Sequence, residues 1–179
     1  WMLDWPTPFP LVVDEASGAE LVDLDGNRIV DVCLGDTGAM FGHGPAPVLE
    51  ALKNAGTRGL TTMLPSSDAA AVGRLLVERF GLPRWQLGAT ASDANRFAIR
   101  VARAVTGRAK LLVFDGCYHG AVDDTLVDLV DGKTISRRNL LGQVRDLGEL
   151  TVSIPFNDEA ALERALAGND IACVLAEPV

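Results

Sequence analysis

The residue types with the clearest chemical potential lie in one stretch, TASDANRFAIRVARAVTGRAKLLVFDGCYHG, at residues 90–120. Its start carries the hydroxyls of Thr90 and Ser92, and its end carries the side chains of Tyr118 and His119. Backbone N–H groups at the start of a helix bind anions, and neighbouring hydroxyls add donors, so a phosphate group would fit the first position. On these residues alone, the alternatives are that the hydroxyls only cap the helix and that His119 is a hydrogen-bonded loop residue.

The pattern between these two groups predicts a helix followed by a strand. Apolar residues recur at helical spacing over about Asp93 to Thr106, with Ser92 as the predicted N-cap and Gly107 as a left-handed end. The run KLLVF at residues 110–114 is typical of a buried parallel strand. The order is therefore loop, helix, strand, loop, with the candidate residues in the two loops.

The rest of the chain is predicted to mix strands and helices. Asp25-Gly26 within LVDLDGNRIVDV predicts a hairpin over 21–32, because this dipeptide favours the turn between two alternating strands. A helix over 68–80, capped by Ser67 and ended by Gly81, is expected to turn four residues inward: Ala71, Leu75, Leu76 and Phe80. The other expected elements are a helix over 45–55, strands over 85–89, 150–154 and 171–176, a helix from Asp158 to about Leu166, and a solvated loop over 123–138.

Composition and charge exclude several classes of function. The chain has 179 residues, 48% of them hydrophobic, and a net charge of −8. These values fit a globular protein and leave no basic stripe for a nucleic acid. No apolar run approaches the roughly 20 residues needed to span a bilayer. An odd count of three cysteines argues against a disulfide framework, so we expect a cytoplasmic protein without membrane or nucleic-acid partners.

Residue spacing also disfavours two kinds of ligand site. The two histidines, His43 and His119, and the three cysteines lack the short paired spacing of a metal site. We expect the cysteines to be buried apolar residues. Gly42 and Gly44 form a superficial G-x-G, but no strand-turn-helix unit with a third glycine surrounds them. We therefore predict neither a metal site nor a Rossmann dinucleotide site.

The stretch at residues 90–120 resembles the pyridoxal-phosphate enzymes of fold type I, in particular the class III aminotransferases and the related glutamate-1-semialdehyde aminomutases. That family holds the cofactor phosphate at a Ser-Gly-Thr-Glu-Ala turn, which TASDA at 90–94 matches without the glycine. YHG at 118–120 matches the family's Tyr-His-Gly, and AEPV at 176–179 resembles its Ala-Glu-Pro-Val. The resemblance implies that pyridoxal 5′-phosphate is bound, with Tyr118 stacked on the pyridine ring. The implied cofactor-binding residues are Thr90, Ala91, Ser92, Tyr118, His119 and Glu177.

The resemblance covers nearly all of the chain and implies an α/β architecture. Residues 45–179 are expected to form part of the large cofactor-binding domain, a mostly parallel sheet flanked by helices, after an N-terminal β-meander segment over 1–44. The glycine-rich stretch 33–44 resembles the segment that passes the substrate side of the cofactor. Asp36, Thr37 and Phe41 are therefore the substrate-side candidates, and the alternative is that they only shape a glycine-rich turn.

The implied activity is transfer of an amino group between an amino acid or amine and a keto or aldehyde acceptor. The family works as homodimers with shared active sites, and residues 60–67 would lie near the subunit boundary. Its Schiff-base lysine and pyridine-pairing aspartate are expected beyond Val179, so this chain alone is expected to be inactive. Two alternatives stay open. One is a semialdehyde-type aminomutase, which Asp36 disfavours because those enzymes typically carry an aromatic residue there, and the other is a non-catalytic phosphate-binding or scaffold domain.

Overall fold

The computed structural model describes residues 11–177, which form two compact units. The first unit ends at Gly81 and the second begins at Leu82. Among residues 11–177, no helix has the length and apolar character that crossing a membrane requires. The two units differ in architecture, so each is described by itself.

The first unit contains a three-stranded antiparallel sheet. Its strands are β1 (Val13–Ser17), β2 (Glu20–Asp23) and β3 (Arg28–Val30), in the order β1-β2-β3. The predicted hairpin is confirmed, because β2 and β3 pair with Leu21 opposite Ile29. The Asp23 carboxylate closes the intervening turn by accepting hydrogen bonds from the backbone N–H groups of Asp25 (3.0 Å) and Asn27 (2.8 Å).

Two helices complete the first unit. Helix α1 (Ala46–Gly56) confirms the helix expected over 45–55, and Pro45 precedes it as the N-cap residue. Helix α2 (Ser67–Phe80) ends at Gly81 in the left-handed conformation, as predicted, but its N-cap is Ser66 rather than Ser67. The expected inward stripe of α2 is also wrong in part. Ala71 and Leu76 are half-buried, but Leu75 and Phe80 are 63% and 57% exposed. No residue of α2 is fully buried within the described chain.

The second unit is built on a three-stranded parallel sheet. Strand β4 (Lys110–Phe114) lies in the centre, between β7 (Thr151–Ile154) and β8 (Ile171–Val174). Helices α3 (Ala91–Thr106) and α4 (Glu159–Ala167) belong to this unit, and the Asp158 side chain caps α4 as expected. The predicted α/β architecture with a parallel sheet is therefore confirmed.

The core of the second unit lies on both faces of β4. Leu112 packs with Ile154, Ala161 and Ile171, so α4 covers one face. Leu111 packs with Ile99 of α3 and with Val122 in a separate cluster. Alternate residues of a strand point to opposite faces, so a central parallel strand with helices on both sides is apolar at every position. The run of leucine and valine in β4 thus has a direct physical reason.

Two predictions about the second unit are wrong. Residues 85–89 form no strand, and the stretch expected as a solvated loop contains a hairpin of β5 (Val127–Val130) and β6 (Lys133–Ser136). Asp131 and Gly132 between them both adopt positive φ, at 50° and 73°, as the tight two-residue turn of a hairpin requires. The charged residues of this segment obscured an Asp-Gly turn signal of the same kind as the one at Asp25-Gly26.

Candidate functional site

The first turn of α3 is fixed by Thr90, and not by Ser92 as the sequence predicted. Thr90 is the N-cap, with extended backbone angles. Its hydroxyl accepts a hydrogen bond from the backbone N–H of Asp93 (3.1 Å) and donates one to the Asp93 carboxylate (2.9 Å). This reciprocal arrangement places the acidic residue at the third helical position, where the helix dipole also favours a negative charge. Ser92 is left available for another contact.

Ser92 joins the start of α3 to the loop that follows β4. Its hydroxyl oxygen accepts a hydrogen bond from the backbone N–H of Ala121, 29 residues away in sequence (2.9 Å). Gly120 approaches so closely that an added Cβ would lie 2.3 Å from Ser92 Oγ, and its φ of +83° is left-handed. Only glycine fits both conditions. The two halves of the predicted site are thus in direct contact.

Two further side chains of α3 hold the same loop, and the sequence reasoning missed both. Asn95 Nδ2 donates to the carbonyl of His119 (3.0 Å), and Arg96 Nη2 donates to the carbonyl of Ala121 (2.9 Å). Ser92, Asn95 and Arg96 stand at positions i, i+3 and i+4, which share one face of a helix. That spacing was the available signal for the contact.

Tyr118 and Glu177 follow the carboxyl ends of the adjacent parallel strands β4 and β8. The backbone N–H of Tyr118 donates to the Glu177 carboxylate (3.2 Å), while the Tyr118 side chain is exposed. In open parallel sheets, ligands bind at this end of the strands. The arrangement fixes the backbone of Tyr118 and leaves its aromatic ring accessible to a planar ligand.

His119 is buried beside these residues. Only 7% of the residue is exposed, and its Nε2 atom has no hydrogen-bond partner within residues 11–177. Burial lowers the pKa of His119 below its usual value of 6.5, and the negative charge of Glu177 partly opposes this effect. The imidazole is therefore neutral near pH 7.

The donors at the start of α3 suit a phosphate group. Within the described chain, the backbone N–H groups of Ala91 and Ser92 form no hydrogen bond, as is usual for the first residues of a helix. The Ser92 hydroxyl accepts from Ala121 and can still donate its own proton. Unpaired donors at the positive end of a helix dipole, joined through Ser92 to the loop that carries an exposed aromatic ring, fit a ligand that joins a phosphate to a planar ring.

The substrate-side candidates lie in the first unit, in the turn that follows β3. Asp36 and Thr37 adopt left-handed φ values of 55° and 66°, and Phe41 is 93% exposed. The sequence reasoning missed Asp31, whose carboxylate bonds His43 Nε2 (2.7 Å). This hydrogen bond is the main reason why the pKa of the Asp31 carboxyl lies below its usual value. These residues form a group of their own within the first unit.

The cysteines and acidic residues show no sign of a metal centre. Within residues 11–177, no three histidine, cysteine, aspartate or glutamate side chains are arranged to hold a metal ion. Cys33, Cys117 and Cys173 are free thiols. The prediction that Cys33 is buried is wrong. Cys33 is exposed at the start of a surface turn, where its backbone N–H donates to Asp31.

Comparison with known proteins gives consistent matches over nearly all of the chain. The family described as aminotransferase class-III matches residues 2–179. A glutamate-1-semialdehyde 2,1-aminomutase of Myxococcus xanthus is 39% identical over 175 residues, which make up 95% of this chain and 40% of that protein. The chain thus spans about 40% of the length of this curated relative.

Solved structures agree with this result. A glutamate-1-semialdehyde-aminomutase from Pseudomonas aeruginosa PAO1 matches with a TM-score of 0.89 and 46% identity, over 99% of this chain and 40% of that one. An omega-transaminase from Sphaerobacter thermophilus matches with a TM-score of 0.84 and 30% identity, over 96% of this chain and 42% of that one. Other matches include a transaminase with PLP bound and an aminomutase variant in complex with PMP, so the cofactor of the family is pyridoxal phosphate. The chain belongs to the class III aminotransferase family, of fold type I.

Proposed function

We propose that this chain provides the phosphate anchor and the ring-stacking residue of an enzyme that transfers an amino group between an amine or amino acid and a keto or aldehyde acceptor. The single observation that supports this most is the contact of Ser92 with Gly120 and Ala121. It joins an anion-binding helix start to the loop that carries Tyr118 and His119. Pyridoxal phosphate, when bound, supplies an electron sink that stabilises negative charge on the amino-bearing carbon of a substrate.

Each candidate cofactor-binding residue has a defined part in this proposal. The N–H groups of Ala91 and Ser92 and the hydroxyl of Ser92 donate to the phosphate, and Thr90 holds the turn that aims them. The ring of Tyr118 stacks on the pyridine, a contact worth about 0.5–1.5 kcal/mol beyond the buried area. Glu177 fixes the backbone of Tyr118, and His119 supplies a neutral polar group beside the ring. The Schiff-base lysine and the pyridine-pairing aspartate, a homodimeric state and a domain boundary after residue 44 stay predictions.

A semialdehyde-type aminomutase is the second candidate, and the names of two relatives support it. The relatives from Myxococcus xanthus and Pseudomonas aeruginosa both carry that name. Asp36, in a turn where those enzymes typically carry an aromatic residue, favours the transaminase. Incubation of the intact protein with glutamate-1-semialdehyde alone separates the two, since an aminomutase converts it without a second substrate. A transaminase instead requires an amino donor with a keto or aldehyde acceptor and releases a keto product.

The proposed cofactor site is tested by equilibrium binding of pyridoxal phosphate to the intact protein. Loss of one hydrogen bond to a charged group costs about 1.5–3 kcal/mol, so Ser92→Ala should raise the dissociation constant by about ten- to a hundredfold. Adding Thr90→Ala should raise it further, and Tyr118→Ala should raise it by a smaller factor. Ser66→Ala is the matched control, because Ser66 precedes α2 without a side-chain capping bond. Unchanged affinity in all the site variants would overturn the assignment, and a parent protein that binds no cofactor would support a scaffold role.

A further inference from the structure

Asp31 forms a small hydrogen-bonding centre at the end of β3. Its Oδ1 atom accepts from the backbone N–H of Cys33 (3.0 Å), and its Oδ2 atom accepts from the backbone N–H of Gly35 (2.8 Å). The same Oδ2 atom bonds Nε2 of His43 (2.7 Å). Only 7% of the Asp31 side chain is exposed. One carboxylate therefore contacts both the beginning and the end of the turn over 33–43.

The backbone of this turn is strained. Leu34, Gly35, Asp36 and Thr37 are consecutive left-handed residues, with φ values of 58°, 56°, 55° and 66°. Each residue other than glycine costs about 1–2 kcal/mol in this conformation. Such strain persists only where the surrounding structure imposes it, and it is concentrated at sites that bind ligands. The bonds from Cys33 and Gly35 to Asp31 bracket Leu34, where the left-handed run begins.

The far end of the turn is anchored as well. His43 exchanges two backbone hydrogen bonds with Gly18 (2.8 and 3.0 Å), which tie it to the loop between β1 and β2. An added Cβ on Gly42 would lie 3.3 Å from the backbone of Gly18, so the approach is close. A cavity of about 230 Å³ lies against this anchor and is lined in part by Asp31, Leu34 and His43. The turn is thus held at both ends, and Asp31 connects the two.

Two polar side chains of the turn, those of Asp36 and Thr37, do not help to hold its backbone in place within residues 11–177. The Asp36 carboxylate and the Thr37 hydroxyl form no hydrogen bond or ion pair there. Bonds within the turn come from the backbone, as from the N–H of Ala39 to the carbonyl of Leu34 (2.7 Å). Both side chains are exposed and available to a ligand.

We propose that Asp31 is a positioning residue that holds the left-handed turn and so aims Asp36 and Thr37 at the amino substrate. This inference rests on the proposed function and specifies how its substrate side is organised. Asp31 does not touch the substrate itself. It acts through the N–H groups of Cys33 and Gly35 and through the ring of His43.

The test uses the intact protein loaded with pyridoxal phosphate and the variant Asp31→Asn. Asparagine keeps one acceptor oxygen but cannot accept from both backbone N–H groups and bond His43 as the carboxylate does. We expect KM for the amino donor to rise by about tenfold or more, with a smaller change in kcat and unchanged cofactor affinity. Hydrogen exchange over 33–37 should become faster. Asp25→Asn is the matched control, because Asp25 lies exposed in the β2–β3 turn and its carboxylate has no bond within the described chain.

A second variant keeps the test decisive if Asp31→Asn fails to fold. His43→Leu removes the ring hydrogen bond and leaves the bonds from the N–H groups of Cys33 and Gly35 to Asp31, so it should give a rise in KM of the same kind but smaller size. Faster exchange over 33–37 with an unchanged KM would overturn the inference, as would unchanged exchange in both variants. A parent protein that takes up no pyridoxal phosphate marks failure of the proposed function, whereas normal uptake with an unchanged KM in the variants marks failure of this inference alone.

Discussion

The two units of this chain hold their candidate binding loops by different physical means. In the second unit, the loop that carries Tyr118 and His119 follows β4, in which Leu111 and Leu112 are fully buried. In the first unit, no residue between 11 and 81 is buried, and the turn after β3 is held by hydrogen bonds to Asp31. Apolar packing is nondirectional and strong, whereas a carboxylate fixes particular N–H groups at particular distances. Within the described residues, apolar packing therefore holds the loop after β4, whereas hydrogen bonds hold the turn after β3.

The largest expected difference between the units concerns leucine truncation. Leu111 is fully buried between α3 and the sheet, so Leu111→Ala should lower the free energy of unfolding of the intact protein by about 2–5 kcal/mol. Leu24, which is 66% exposed in the β2–β3 turn, is the matched site in the first unit. Leu24→Ala should change it by no more than about 0.5 kcal/mol. Denaturant unfolding of both variants checks this, and equal effects would contradict the contrast.

The next effect concerns two glycines in the loop after β4. Gly116 and Gly120 both have left-handed φ, at 81° and 83°, but only Gly120 has a neighbour where a Cβ would be placed. Gly116→Ala measures the cost of the backbone conformation alone. Gly120→Ala adds overlap with Ser92, so it should destabilise the protein by about 1–3 kcal/mol more and weaken binding of pyridoxal phosphate. Equal stability and equal cofactor affinity in the two variants would show that the close approach to Ser92 is unimportant.

A smaller effect separates two helix caps. Thr90 caps α3 through its hydroxyl, whereas Ser66 precedes α2 without a side-chain hydrogen bond. Thr90→Ala should cost about 0.5–2 kcal/mol, and Ser66→Ala should cost close to nothing. Thermal unfolding of the cofactor-free protein is the appropriate measurement, since bound cofactor would add its own stabilisation. A Ser66 variant as unstable as the Thr90 variant would contradict the assigned caps.

The sequence predicted those elements whose signals are local. The periodicity of α3, the apolar run of β4 and the Asp25-Gly26 turn all depend on residues within one element, and all three are confirmed. The strand expected over 85–89 is absent. The prediction failed because a short, partly apolar segment does not by itself distinguish a strand from an irregular segment.

The contacts that assemble the candidate site were harder to predict. The bond between Ser92 and Ala121 spans 29 residues, and it changes Ser92 from the expected cap into a tertiary contact. The role of Asp31 depends on His43 in the same way, since the pair forms only when the turn is folded. The motifs themselves identified the family and its cofactor, because their residue types are chemically specific even where their partners are not visible in the sequence.

The smallest effect we expect concerns pH. Burial lowers the pKa of His119 from 6.5, so the unfolded state takes up this proton before the folded state does. The contribution of neutral His119 to the free energy of unfolding is complete above about pH 6.5. It declines as the pH falls through that value toward the lower pKa of the folded state. Asp31 in the first unit behaves differently, because its pKa is lowered from 3.8 and its carboxylate stays ionised over the same range.

Unfolding of the cofactor-free protein, measured from pH 7.5 to 5, tests this contrast. The parent should lose stability below about pH 6.5, and the His119→Gln variant should lose less because it lacks the titrating imidazole. Exchange protection over residues 33–37, corrected for intrinsic rates, should stay constant in both proteins over that interval. The same loss of stability in parent and variant would show that His119 is not the titrating group, and loss of protection over 33–37 would show that the Asp31 bonds fail well above the pKa of its carboxyl.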